Sequence, residues 1–252
     1  MEHTPYIGIT GFTSTQELTL AKSAAGTARI DEISYKVMAG IITSTSTLSK
    51  GRSHIRVGVS ELEDLARAMP QSFIGAIHHH THDAAALRDE LGFLLDHAPG
   101  IRLVQINNTW PDIGVMAHLA KSYPGLGYVL QFPPEALRDG VKAVAYCAKD
   151  YAGLARYTLV DSSQGAGRRF DPVFAAEVMD AVAQSLPDAI MGVAGGLSGE
   201  NVKEQVLAVA SRYQSPFVID AEGRLRSEDY LGLAQDKVES YLRAAVGAFK
   251  DG

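Results

Sequence analysis

Tyr157-Thr158-Leu159-Val160-Asp161, followed by Ser162-Ser163-Gln164-Gly165-Ala166-Gly167-Arg168-Arg169-Phe170-Asp171, is the stretch on which the fold turns. Residues 157–161 favour a buried strand and end in a carboxylate. A glycine-bearing loop comes next, and residues 172–186 carry the apolar spacing of a helix. This is one strand–loop–helix unit with an acid at the strand's C-terminal end.

Outward from it, the same unit recurs along the whole chain. Strands are expected at 6–10, 37–43, 73–79, 102–107, 128–132, 157–161, 190–194 and 217–220. Most are continuous apolar runs, the pattern of parallel strands covered on both faces. Helical patterns follow, as at 60–69, 83–98 and 172–186. Ser60 and Ser198 stand as N-cap candidates ahead of acidic residues, while Pro111 and Pro134 suit helix starts. Eight such units in 252 residues predict a single (β/α)8 TIM barrel spanning 1–252, with a doubly wound open sheet as the competing α/β fold. The Ser/Thr-rich stretch 44–59, after the second strand, is expected to be a loop covering the substrate.

Composition narrows the partners. With 46% apolar residues the chain can bury one large core. Lys plus Arg number 23 against 29 Asp plus Glu, a net charge of −6 that gives no reason to expect nucleic acid. The single cysteine, Cys147, excludes an internal disulfide framework and suits a reducing compartment; on the helical segment after the fifth strand, it reads as a small buried hydrophobe. The N-terminus carries no signal-peptide pattern, and no apolar run is long enough to cross a bilayer. The expectation is a cytoplasmic protein without membrane association, a monomer or homodimer.

Five segments, taken in order, carry a resemblance. They are Ile9-Thr10-Gly11-Phe12-Thr13, Val104-Gln105-Ile106-Asn107-Asn108, the Asp161 run, Val193-Ala194-Gly195-Gly196-Leu197-Ser198-Gly199-Glu200-Asn201-Val202, and Ile219-Asp220-Ala221-Glu222-Gly223. Together they resemble the strand ends of the phosphoribosylanthranilate isomerase family. That resemblance implies an Amadori rearrangement of a phosphoribosylated amine, with no cofactor and no metal. It assigns Asp161 to the acid that opens the ribose ring, with Gly165, Gly167, Phe170 and Asp171 in step behind it. It sets Thr10 at the position of the family's catalytic cysteine. A threonine hydroxyl is too weak an acid to stand in for a thiolate near neutral pH. Gln105 and Asn107 on the fourth strand, Arg52 in the loop after the second, and Asp220 on the eighth are the implied substrate binders. Gly195 and Gly196 match the family's phosphate loop, where bare amides can approach an anion at a helix start. Gly223 and Arg224, beside Glu222, replace the family's second phosphate segment.

His78-His79-His80, with His82 beyond, ends the third strand and has no match in that family. Strand alternation directs either His79 alone, or His78 with His80, toward the barrel axis. An i, i+2 pair can share a metal, but the chain supplies no clear third ligand. A single imidazole, His80 foremost, as base or hydrogen-bonding group is a stronger reading than a metal pair, with a solvated loop as the alternative to both; His78, His79 and Asp220 are the other candidates for the base. Trp110 is read either as a packing anchor or as a stacking surface for an aromatic substrate. The functional expectation is an isomerase acting on a small phosphorylated metabolite. A lyase or aldolase on a sugar phosphate, or a barrel that binds such a metabolite without turnover, are the alternatives.

Overall fold

Strand alternation sorts the apolar residues into two cores, and their separation defines the molecule. The computed structural model describes residues 3–81, 83–107, 110–161 and 169–251. Its strands are β1 (Tyr6–Thr10), β2 (Lys36–Ser44), β3 (Phe73–His80), β4 (Leu103–Ile106), β5 (Gly127–Phe132), β6 (Ala155–Asp161), β7 (Gly192–Ala194) and β8 (Val218–Ala221). All expected strands are present, with ends moved by a residue or two. Each pairs in parallel with the next, and β1 pairs with β8, so the sheet is a closed barrel and the open-sheet alternative falls.

Among the described residues eight principal helices follow the strands: α1 (Thr15–Ala28), α2 (Val59–Ala68), α3 (Leu87–His97), α4 (Ile113–Ser122), α5 (Val141–Ala148), α6 (Pro172–Ser185), α7 (Val202–Ala210) and α8 (Gln235–Asp251). Inward-pointing Tyr6, Met38, Leu103, Val129, Tyr157 and Val218 fill the barrel interior. Ile7, Ile9, Ile41, Val104 and Ile219, one residue out of phase, join the core between strands and helices. Each fully buried aliphatic side chain of this kind stabilises the fold by roughly 1.5–3 kcal/mol.

Local chemistry sets the helix starts, not always where expected. Ser14 and Glu17 form a capping box on α1, and Asp171 caps α6 through the Val173 and Phe174 amides, with Pro172 in the first turn. Asp112, just after Pro111, caps α4. Ser60 is not a cap: Gly58 precedes α2, whose first residue is Val59. Ser198 is not one either. A turn beginning there leads into α7, and the Asn201 side chain ties it by accepting from the Ser198 amide (2.9 Å) and donating to the Gly196 carbonyl (2.8 Å).

The 44–59 stretch is more ordered than a plain loop. It begins with a short helix, Thr45–Lys50, and ends in a tight turn closed by paired Ser53–Arg56 backbone bonds of 2.9 Å. Cys147 lies on α5 and is partly exposed rather than buried. Trp110 packs against Phe132 and Tyr151, which makes it an anchor for the start of α4 and not a substrate stack. The glycine loop with Gly165 and Gly167, together with His82 and Asn108, lies outside the described residues.

Candidate active site

At the C-terminal end of the strands the inward side chains change from apolar to polar. Above the Tyr6–Tyr157–Val218 layer stand Thr10, His78, Gln105, Gln131, Asp161 and Asp220, all but Thr10 on the wall of one open cavity of about 270 Å³. This is the end where (β/α)8 barrels carry their chemistry.

One wall is a chain of carboxamides. The Gln105 Nε2 donates to Gln131 Oε1 (3.0 Å), and Gln131 Nε2 donates to Asp161 Oδ2 (2.7 Å). Asp161 is thereby held in a fixed orientation at the end of β6, 6% exposed. Gln131 escaped the sequence reading, although its place two residues after inward-facing Val129 on β5 is the signal that would have found it.

The opposite wall is built from β1 and β8. The Thr10 hydroxyl donates to the Asp220 carboxylate, lying 3.0 and 2.9 Å from its two oxygens. Gly8, level with Asp220 on the neighbouring strand, makes this possible: a Cβ there would lie 2.5 Å from Asp220 Oδ1. Gly40 clears the space beside the Thr10 hydroxyl in the same way, and a Cβ there would also stand 3.0 Å from His78 Nε2. Burial is the main cause that pushes the Asp220 carboxyl up to about 8, with Glu222 and Asp161 adding to it against the Thr10 hydrogen bond.

The histidines divide as one branch of the alternation requires. His78 and His80 face the cavity, and His79 faces outward. Burial pushes His78 down to about 3, so it is neutral at physiological pH, and its Nε2 is buried without a hydrogen-bond partner. The His80 ring accepts from the Asn107 carboxamide at 2.7 Å. His79 is bound by the Thr43 hydroxyl (3.0 Å) and the Glu90 carboxylate (2.7 Å) on α3, which removes it from the candidates for a base in the mouth. Among the described residues no group of three or more His, Cys, Asp and Glu side chains is placed to hold a metal.

At the third side, Gly195 and Gly196 take positive φ values of 123° and 61°, a backbone that other residues adopt only with strain. They share the cavity wall with Gly223 and Arg224. Glu222 also lines this end, but its charge is compensated by buried Arg226, whose Nη2 lies 3.3 Å from Glu222 Oε1 and whose Nη1 donates to the Gly11 carbonyl (2.8 Å). Arg226 was not found in the sequence, because the contact that buries it joins residues 215 apart.

Arg52 stands outside the cavity. Its guanidinium donates to the His54 and Leu231 carbonyls at 3.1 and 2.9 Å, so it ties two loops together rather than facing a substrate. The arginine at the cavity edge is Arg56, delivered with Ile55 by the Ser53–Arg56 turn. The resemblance implies Arg52 as the substrate binder, whereas the turn brings Arg56 to the cavity edge.

No family model matches the chain, and no curated protein sequence matches it. Solved structures do. Phosphoribosyl anthranilate isomerase from Thermus thermophilus is 16% identical, covers 98% of both chains and superposes with a TM-score of 0.62. The enzyme from Thermotoga maritima is 13% identical over 97% of this chain and 100% of its own, with a TM-score of 0.65. Tryptophan synthase subunit alpha from Legionella pneumophila reaches 0.63 at 10% identity, covering 99% and 94%. A different enzyme is thus as close in shape as the isomerases, and the likeness is one of fold: this chain is built on the same barrel as the phosphoribosylanthranilate isomerases.

Proposed function

We propose that the protein is an isomerase of a phosphorylated sugar or its amine adduct, converting an aldose-type carbon skeleton into a ketose with Asp161 as general acid. The observation that carries the reading is the single cavity in which Asp161 shares a wall with the Gly195–Gly196 bend and Arg224. A phosphate held by the bend's amides and Arg224 places the sugar across the mouth, within reach of a carboxyl that protonates the ring oxygen. The rearrangement is an internal redox reaction: one carbon is reduced as its neighbour is oxidised, so it needs no external electron carrier. Gln105 and Asn107 offer carboxamides to the sugar hydroxyls, with His80 beside Asn107. Arg56 replaces Arg52 as the cation for a second anionic group on the substrate.

The second reading is a barrel that binds a phosphorylated metabolite without turning it over. One observation favours it: the chain's only cysteine lies on α5, away from the mouth, so the thiolate of the resembled family has no counterpart there. Incubation with phosphoribosylanthranilate, following loss of its fluorescence, separates the two. Turnover that disappears in Asp161→Asn supports the isomerase. Stabilisation by sugar phosphates with no turnover moves the assignment to the binding barrel.

A further inference from the structure

We propose that the Asp220 carboxylate, positioned by the Thr10 hydroxyl, is the base that removes the substrate's C2 proton. The assignment rests on the isomerase reading above and supplies its missing partner. Asp161 is in register with Ala194 on β7, and Ala194 is in register with Asp220 on β8. Their Cα positions therefore stand at one level of the rim, two strand spacings or about 9–10 Å apart along the sheet. On the sheet, Ala194 of β7 stands between them. An acid and a second carboxylate thus line one cavity, with the Gly195–Gly196 bend continuing from Ala194 between their strands.

The other groups in the mouth are poorer bases. His78 is held neutral far below the usual imidazole range, so it has little affinity for a proton. His80 is engaged by Asn107, and His79 points away. Thr10 serves differently: its hydroxyl spans both Asp220 oxygens and fixes the plane of the carboxylate. Asp220 combines this fixed geometry with a proton affinity raised to about 8, which makes its ionised form a much stronger base than an ordinary carboxylate. The charged and titratable groups around it are Asp161 on β6, Glu222 after β8, His78 on β3, and the buried phenols Tyr6 on β1 and Tyr241 on α8.

For a 1-amino aldose the steps balance as follows. Asp161 gives its proton to the ring oxygen, the C1–O bond breaks, and the nitrogen lone pair forms C1=N. Asp220 then takes the proton from C2. The C2–H electron pair forms C1=C2, and the C=N pair returns to nitrogen. Loss of the O2 proton and delivery of a proton to C1 complete the ketose, with C1 reduced and C2 oxidised.

The test follows phosphoribosylanthranilate turnover from pH 5 to 9.5, with ribose 5-phosphate and glucose 6-phosphate as further probes and deuterium wash-in at C1 of the ketose from heavy water. Asp220→Asn is expected to lower kcat by about 10²–10⁴-fold and to abolish wash-in. Its stabilisation by inorganic phosphate should persist, which shows the fold and anion site intact. Thr10→Val removes a hydrogen bond that favours the ionised carboxylate, so the rising limb of kcat/KM should move to higher pH; Thr10→Ser should move it back. That shift is independent of whether the Asn variant folds. Wild-type kcat and pH profile in Asp220→Asn, with Asp161→Asn inactive, would overturn the Asp220 assignment and leave the isomerase standing. No turnover of any probe by the wild-type protein would overturn both.

Discussion

At the residue scale, the site depends on glycines and on buried groups whose protonation is linked to folding. Asp220 has a folded pKa raised from 3.8 to about 8. Its contribution to stability is therefore complete below the unfolded value and is lost as pH rises through about 8, because the native state keeps a proton that the unfolded chain releases. His78 has the opposite sign. Its folded value falls from 6.5 to about 3, so its contribution is present above 6.5 and is lost as pH falls toward 3. Between about 4 and 6.5 the two slopes oppose each other, and from 6.5 to 8 only that of Asp220 remains, roughly 1.4 kcal/mol per pH unit. Urea unfolding across that upper window should show stability falling with pH in the wild type and a flatter line in Asp220→Asn. Equal slopes in the two proteins would show that Asp220 titrates normally. Gly40 belongs to the same floor. Gly40→Ala drives a methyl against the Thr10 hydroxyl and His78, and a loss of about 1–3 kcal/mol is expected. Gly26, inside α1 with open space around it, is the control, where alanine should stabilise by about 0.5–1 kcal/mol. Sequence alone does not mark Gly40, since its meaning lies in side chains from other strands.

At the element scale, strands and helices were legible because their periodicity is local, whereas the loops that shape the mouth are tied by contacts distant in sequence. Glu17 shows the difference. Within α1 it completes a capping box, accepting from the Thr13 and Ser14 amides at 2.6 and 3.2 Å. Its other oxygen accepts from the Leu233 amide at 2.7 Å, just before α8. One carboxylate thus fastens the β1–α1 loop to the segment entering the last helix. Arg52 fastens the β2–α2 connection to the same region through Leu231. Glu17→Ala leaves three backbone amides short of their partner and should cost about 1–3 kcal/mol by denaturant unfolding. Glu63→Ala, on the outer face of α2 in a 3.7 Å surface pair with Arg67, should change stability by less than about 0.5 kcal/mol. Equal losses at the two positions would show that Glu17 is only a helix cap.

At the scale of the whole molecule, closure of the barrel makes the site. It brings Thr10 against Asp220, residues 210 apart, and sets Asp161 level with Asp220. The barrel itself was legible from eight repeats of one unit, and so was the polar rim, because strand ends can be located by pattern. What could not be read was selection within the rim: Arg56 over Arg52, Gln131 beside Gln105, Arg226 beneath Glu222. Each is decided by a turn or by a partner on another strand. Global stability in turn reports on the local anion site. If inorganic phosphate binds the Gly195–Gly196 bend and Arg224 with a Kd of about 1 mM, then 10 mM stabilises the fold by about 1.4 kcal/mol. For a domain of this size that corresponds to a Tm increase of roughly 3–6 °C. Arg224→Ala should remove most of the increase, each protein being compared with its own Tm without phosphate. Calorimetry of both proteins, at matched ionic strength with chloride in place of phosphate, separates binding from general screening. An equal rise in the two proteins, or none in the wild type, would move the phosphate away from this end of the mouth and remove the anchor on which the orientation of the sugar depends.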